Sequence, residues 1–122
     1  LDGIHGSPAE FKDITLSDYV GDRYTSLTDD PYQKGFVSNY ARSHYSEDVA
    51  ETGGRLISLT EEEREAMIAK AGPVGGPLMR KKYDMLKKWL KDSYGVDTDR
   101  WCEIYHRRIA QLDNLDWESL DK

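Results

Sequence analysis

Cysteine and long apolar runs are both scarce in this sequence of 122 residues. Cys102 is the single cysteine, so an intrachain disulfide is excluded and cysteine usage does not identify the compartment. No apolar run approaches the roughly 18–20 residues that a membrane-spanning helix needs. The chain opens on "LDGIHG" without a methionine, so we expect further sequence upstream.

Positive charge is also in short supply. The 17 lysines and arginines face 23 acidic residues, and the net charge is -6. An acidic balance disfavours a phosphate-binding surface unless basic residues cluster on one face. The basic run Arg80–Lys82 is expected to lie on the solvated face of a helix. The glycine-rich "GPVGGP" lacks the lysine and the preceding strand of a phosphate loop. We therefore predict no nucleic-acid partner.

Strand patterns are absent, and helical patterns begin only after the first third of the chain. Residues 1–45 carry turn residues at short intervals, which predicts a loop-rich segment that wraps over the rest. A first helix is predicted from its N-cap, Ser46, to about Leu59. Gly53 and Gly54 would weaken this helix, and such pairs usually mark a place where another segment passes close.

Two helices are predicted on either side of a glycine-rich stretch. The first has Thr60 and Glu63 in a capping-box pattern and ends at Gly72–Pro73. The stretch "GPVGGP" is expected to be a hinge-like linker. The next helix, over about 78–94, carries an apolar stripe made of Met79, Tyr83, Leu86 and Leu90.

A last helix is predicted to open at Asp97 or Thr98, with Cys102 on it as a small buried side chain. The sequence therefore predicts a mainly α fold. We expect a single domain over residues 1–122, made of a loop-rich part over 1–45 and a helical part over 46–113 with about four helices.

The stretch "GFVSNYARSHYSEDVAE" is the most unusual in the chain. Its residues Glu47 and Glu51 are four apart and share one helix face, where two like charges repel unless a cation or donor lies between them. A metal ligand at Glu47, with Glu51 orienting a neighbouring group, would explain the pair. Acids in a first turn also interact favourably with the helix dipole, and by spacing alone this is the better explanation.

Two neighbours of the acidic pair allow the same two interpretations. Tyr40 could donate a hydrogen bond to developing negative charge, or pack as an ordinary aromatic side chain. His44 is interpreted as a polar loop residue, because His5 and His106 are far away in sequence and share no motif with it. A catalytic zinc needs about three protein ligands, and the motif HExxH is absent from the chain.

The same stretch resembles a family of zinc-binding metallopeptidases of Bacteroidetes, which are often lipoproteins encoded beside nutrient-uptake systems. In that family Gly-Phe-Val-Ser-x-Tyr-Ala is followed by Glu-Asp-x-Ala-Glu. The segment "YDMLKKWLKDSYGVDTDRWCEIYHRRI" resembles the closing helices of the family, and "SPAEFKDITLSDYVGD" resembles the linker after HExxH. The resemblance covers nearly all of the chain and implies the C-terminal lobe of a gluzincin-like metallopeptidase.

The resemblance also implies roles for three residues. Glu47 matches the third protein ligand of zinc, Tyr40 the tyrosine that hydrogen-bonds the tetrahedral intermediate, and Glu51 the acid that orients a ligand histidine. The two histidines and the general base of HExxH are not in this chain, although His5 lies near where the metal-binding helix would end. Zinc is therefore expected in the full-length protein and not in this chain alone.

The implied function is zinc-dependent hydrolysis of peptide bonds in a peptide or protein substrate. The implied location is extracytoplasmic, in the periplasm or at the cell surface, with membrane contact only through an N-terminal lipid anchor outside this chain. A second hypothesis is a non-catalytic helical interaction module, or a degenerate pseudopeptidase, accessory to nutrient uptake at the surface. An HExxH motif upstream of Leu1 would separate the two.

Overall fold

The helical character of the chain is visible in a computed structural model, which describes residues 10–113. Four short 3₁₀ turns come first, at Leu16–Asp18, Gly21–Ser26, Pro31–Lys34 and Tyr40–Arg42. Four α-helices follow in this range: α1 (Tyr45–Ser58), α2 (Glu61–Lys70), α3 (Gly72–Tyr94) and α4 (Thr98–Asp113). No strand occurs between residues 10 and 113, and the predicted mainly α fold is confirmed. His5 lies outside the described residues, and the single domain over 1–122 stays a prediction.

Helix α1 is fixed at both ends by side chains. Its N-cap is His44 rather than the predicted Ser46, because His44 Nδ1 accepts a hydrogen bond from the backbone N–H of Ser46 at 3.1 Å. At the other end the buried guanidinium of Arg64 donates to the carbonyl oxygens of Leu56 and Leu59, at 3.0 and 2.7 Å. These are carbonyl groups that a helix end otherwise leaves without partners.

The capping box at the start of α2 is confirmed. The Thr60 hydroxyl accepts from the Glu63 backbone N–H at 3.1 Å, and the Glu63 carboxylate accepts from the Thr60 N–H at 2.9 Å. Each side chain therefore satisfies one orphan donor of the first turn, as the Thr60–Glu63 spacing predicts.

The predicted linker "GPVGGP" is instead the first turn and a half of α3, so that prediction was wrong. Its glycines serve close packing rather than bending. A Cβ on Gly75 would lie 2.7 Å from the carbonyl carbon of Gln33, and one on Gly76 would lie 2.9 Å from the carbonyl oxygen of Ile68. The lack of side chains lets α3 approach the Pro31–Lys34 turn and α2 at backbone distance. Pro73 suits the first turn, where its missing N–H is not needed.

The described part of the loop-rich first third supplies part of the core of the helices. Phe11, Phe36 and Val37 are buried from this part of the chain. Phe11 and Val37 pack in one cluster with Leu56, Ala71, Met79, Tyr83 and Leu86, and the Phe36 ring lies against the Lys82 ammonium. The stripe on α3 is thus confirmed at its first three positions, and Leu90 is half-buried.

Helix α4 packs against the rest of residues 10–113 near its start, and its residues 107–112 are all exposed. Cys102 is buried, as predicted, and its Sγ donates to the carbonyl oxygen of Leu59 at 3.1 Å. Four large apolar side chains of the same helix are exposed: Trp101, Tyr105, Ile109 and Leu112. Among the helices between residues 10 and 113, none is both long and apolar enough to cross a membrane.

Candidate functional site

Tyr40 and Glu47 come together where the last 3₁₀ turn meets α1. Hydrogen bonding to the Glu47 carboxylate, together with the charge of that carboxylate, raises the pKa of Tyr40 above its ordinary value. The Tyr40 ring is 43% exposed and packs edge-on against the ring of Tyr24, with 5.3 Å between centroids. The hydroxyl is therefore protonated at neutral pH, and its one O–H can be donated to a bound molecule only if it turns away from the Glu47 carboxylate.

The turn that carries Tyr40 is anchored by its own neighbours. Arg42 is buried and its guanidinium lies 2.8 Å from the Asp29 carboxylate. The Arg42 carbonyl oxygen accepts from the backbone N–H of Val20 at 2.7 Å. These bonds hold the turn against the preceding loop, so the position of Tyr40 is defined by the fold rather than by its own side chain.

Glu51 lies one helical turn after Glu47 and is oriented by two partners. The Ser38 hydroxyl donates to Glu51 Oε1 at 2.9 Å and itself accepts from the backbone N–H of Ala41 at 3.1 Å. The guanidinium of Arg55 lies 3.8 Å from Glu51 Oε2. A carboxylate has about four acceptor positions, so both oxygens can still accept another donor. Glu51 is thus a fixed, charged acceptor beside Glu47.

Beneath these residues lies a buried ionic cluster that the sequence analysis missed. Lys82 Nζ and the Tyr19 hydroxyl each lie 2.7 Å from Asp48 Oδ2, and the Thr52 hydroxyl lies 3.0 Å from Asp48 Oδ1. The side chains of Asp48 and Lys82 are both 0% exposed. Burial first, and then the charge of Asp48, raises the pKa of the Tyr19 hydroxyl.

The expectation that Arg80–Lys82 faces solvent was wrong for its last residue. Arg80 and Lys81 are exposed, and Arg80 pairs with Glu65. Lys82 instead points inward, where its Nζ lies 3.7 Å from the ring centroid of Phe36. Burial lowers the pKa of Lys82, and the Asp48 carboxylate opposes that shift.

A signal for this inward lysine was present in the sequence. Lys82 lies three residues after Met79 and four before Leu86, so helical spacing puts it on the apolar stripe of α3. A charge at a core position needs an opposite charge nearby. On α1 the matching signal is Asp48, which is four residues before Thr52 and eight before Leu56, and all three are buried.

The described residues do not make a zinc site by themselves. No group of three His, Cys, Asp or Glu side chains between residues 10 and 113 is placed to hold a metal ion. Glu47 offers one carboxylate, whereas a catalytic zinc takes about three protein ligands. His44 caps α1 and its ring stacks beside Tyr45, and His106 lies on α4. Within residues 10–113, Glu47 alone does not provide the ligands that a catalytic zinc requires.

Two comparisons with known proteins give matches for this chain. A family model described as "Putative zinc-binding metallo-peptidase" matches residues 5–99. The crystal structure of a putative zinc-binding metallo-peptidase from Bacteroides caccae is similar, with 30% sequence identity, a TM-score of 0.79 and 90% of this chain covered. The chain spans 42% of the length of that protein. No curated protein matches.

Proposed function

Since this chain belongs to the zinc-binding metallopeptidase family, we propose that it is the C-terminal lobe of a gluzincin-like peptidase that hydrolyses peptide bonds. In this proposal Glu47 is the third protein ligand of zinc, and two histidines and a general base come from polypeptide outside these 122 residues. The observation that carries the proposal is the grouping of Tyr40, Glu47 and Glu51 where the Tyr40–Arg42 turn packs on α1, with both carboxylates close enough to raise the pKa of Tyr40.

Each residue of this edge has a separate task. A bound zinc ion would polarise the substrate carbonyl and activate water. Tyr40 would turn its one O–H from Glu47 to the oxygen on which negative charge develops and donate a hydrogen bond to it. Glu51, already oriented by Ser38, accepts from a ligand histidine and thereby fixes the ring.

The proposed setting follows from the same family membership. The substrate is a peptide or protein, and the acidic net charge of the chain disfavours nucleic acid. We place the protein outside the cytoplasm, in the periplasm or at the cell surface, with a lipid anchor at an N-terminus upstream of this chain. The family resemblance supports the substrate class and the location, and the net charge supports the absence of a nucleic-acid partner.

Zinc analysis of the full-length protein tests the proposal. The wild type should carry about one zinc ion per molecule, and Glu47→Ala should lose most of it, since one of about three protein ligands is gone. Glu62→Ala, an exposed acid on α2, is the matched control and should keep the metal. A wild type without stoichiometric zinc, or a Glu47→Ala variant that binds zinc equally well, would refute the ligand assignment.

Tyr40→Phe tests the second role independently of metal binding. It should keep the zinc and lower kcat by about 100- to 1,000-fold, the usual cost of one oxyanion donor. Tyr94→Phe removes a hydroxyl of similar exposure on α3 and should leave kcat unchanged. Equal kcat values for the two variants would remove Tyr40 from the mechanism.

A second candidate function is a non-catalytic helical interaction module accessory to nutrient uptake, either as such or as a degenerate pseudopeptidase. The exposed apolar side chains of α4 favour it, because Trp101 is 55% exposed and Leu112 is 46% exposed. Large exposed apolar side chains in one patch are typical of protein contacts. The zinc measurement separates the candidates, since a module of this kind has no need of the metal.

A further inference from the structure

The direction in which Glu47 points is set by what its helix buries. Consecutive residues of an α-helix are about 100° apart around its axis. Asp48, Thr52 and Leu56 face the core and are at most 1% exposed. Glu47 precedes Asp48 by one residue and Glu51 precedes Thr52 by one, so both glutamates lie at the edge of the buried face. A rotation of α1 that moved Asp48 would move both carboxylates with it.

Asp48 is held from two directions by groups outside α1. Lys82 reaches it from α3 and Tyr19 from the loop-rich segment, and both contact Oδ2 at 2.7 Å. Hydrogen bonds with a charged partner are shorter and roughly twice as strong as neutral ones. Hydrophobic contacts are non-directional by comparison. The rotation of α1 about its own axis is therefore set by the bonds to Asp48 rather than by the apolar neighbours of the helix.

The same lysine contacts the segment that leads to Tyr40. The Lys82 ammonium lies over the ring of Phe36, 3.7 Å from its centroid, and this ring is fully buried. Two residues later Ser38 binds Glu51, and the Tyr40–Arg42 turn follows directly. The Nζ atom of Lys82 therefore contacts both the helix that carries Glu47 and the loop segment that leads to Tyr40.

We propose that Lys82 is a positioning residue for the candidate site, which sets the relative placement of Glu47 and Tyr40 through Asp48 and Phe36. The proposal rests on the proposed function, because it concerns the geometry of that same site. It adds a residue on a distant part of the chain, 35 positions after Glu47, that touches neither metal nor substrate.

Stability alone does not account for a charge pair in this place. A buried pair loses much of its attraction to the desolvation of both ions, and replacing such a pair by apolar residues is often neutral or stabilising. What the pair adds is a unique arrangement of three segments: α1, α3 and the loop before Tyr40. A neutral replacement should therefore fold and yet leave the site misplaced.

The test uses the full-length protein with Lys82→Met and with the double variant Lys82→Met plus Asp48→Asn, which removes the unpaired buried charge. Lys81→Met changes the adjacent exposed lysine and is the matched control. The measured quantities are zinc per folded molecule, and kcat and KM per bound zinc on a peptide. We expect the double variant to fold and kcat per zinc to fall by about 10-fold or more, because small misplacements of reacting groups are costly. KM should change by less than about twofold, since Lys82 does not touch substrate.

Two results would overturn the proposal. One is a double variant with kcat per zinc within about twofold of the Lys81→Met control. The other is a double variant that does not fold, since the pair would then be needed for stability. Failure of the proposed function is a separate observation, namely a Glu47→Ala variant that retains zinc and activity. If Glu47→Ala loses zinc and the Lys82 variants keep kcat, only the positioning role is wrong.

Discussion

The Nζ atom of Lys82 lies 2.7 Å from Oδ2 of Asp48, and neither side chain is exposed to solvent. The pair joins the middle of α3 to the first turn of α1. An ion pair of this kind is costly to break from one side, because the remaining charge is buried without a partner. The effect of substitution should therefore depend strongly on whether one or both charges are removed.

Lys82→Met should lower the free energy of unfolding of this chain by about 3–5 kcal/mol, because Asp48 is left buried and unpaired. Adding Asp48→Asn should recover most of that loss. Urea unfolding of the three proteins gives the values, with Lys81→Met as the control expected within about 0.5 kcal/mol of wild type. A single variant as stable as this control would mean that water reaches Asp48.

Glu47→Gln should lower the pKa of Tyr40 towards its ordinary value of 10.0. The negative carboxylate disfavours the phenolate form, and its charge is lost in the amide. Titration of the ring carbon next to the hydroxyl, by NMR with labelled tyrosine, measures the shift, and Tyr40→Phe assigns the signal. Glu51→Gln should have a smaller effect, because Glu51 is the weakest of the influences on Tyr40. Equal pKa values in Glu47→Gln and wild type would show that the two side chains are apart in solution.

Gly54→Ala should stabilise this chain by roughly 0.5–1 kcal/mol, because alanine is the better helix former and a Cβ here meets no atom of residues 10–113 within 4 Å. Gly75→Ala should do the opposite, by roughly 1–3 kcal/mol, because its Cβ would overlap the backbone of Gln33. Thermal unfolding compares the two helix glycines directly. Destabilisation by Gly54→Ala would indicate a contact at this edge of α1.

Stability should fall in acid, partly through Glu63. Hydrogen bonding to the Thr60 backbone N–H holds the pKa of Glu63 below its ordinary value of 4.5. The unfolded chain therefore binds this proton at higher pH than the folded chain, so the stabilisation is present above about pH 4.5 and is lost as pH falls through the folded pKa. Melting temperatures of wild type and Glu63→Gln, measured from about pH 6 to about pH 3, should converge in acid. A constant difference at every pH would exclude the ionised carboxylate as the source.

The helices were predicted well where their capping residues and apolar spacing lie close together in sequence. The capping box at Thr60 and Glu63 needs only residues three apart, and the apolar stripe from Met79 needs only helical spacing, so both were visible in advance. The start of α3 was not, because Gly75 and Gly76 are explained by the Pro31–Lys34 turn and by α2, which are remote in sequence. The sequence of a glycine-rich stretch does not show whether its glycines allow the chain to bend or allow another segment to pack closely.

The candidate site was predictable in a similar, partial way. The sequence indicated that Glu47 lies on a helix face. It did not indicate that Tyr40 comes close to Glu47, because this depends on a turn anchored by Arg42 and Asp29. The contact between Lys82 and Asp48 was not predicted, because the two residues are 34 positions apart and Lys82 was expected to face solvent. Gly53 and Gly54 were expected to mark a close approach, and within residues 10–113 they face open space.

Cys102 gives the chain a property of practical use. It is the only thiol among the 122 residues, it is 8% exposed, and its Sγ is bonded to the carbonyl oxygen of Leu59, where α4 meets the end of α1. Because Cys102 is buried, we expect a thiol reagent to modify it mainly when that contact opens. The rate of modification therefore reports the opening of a single helix contact, separately from global unfolding and without any introduced label.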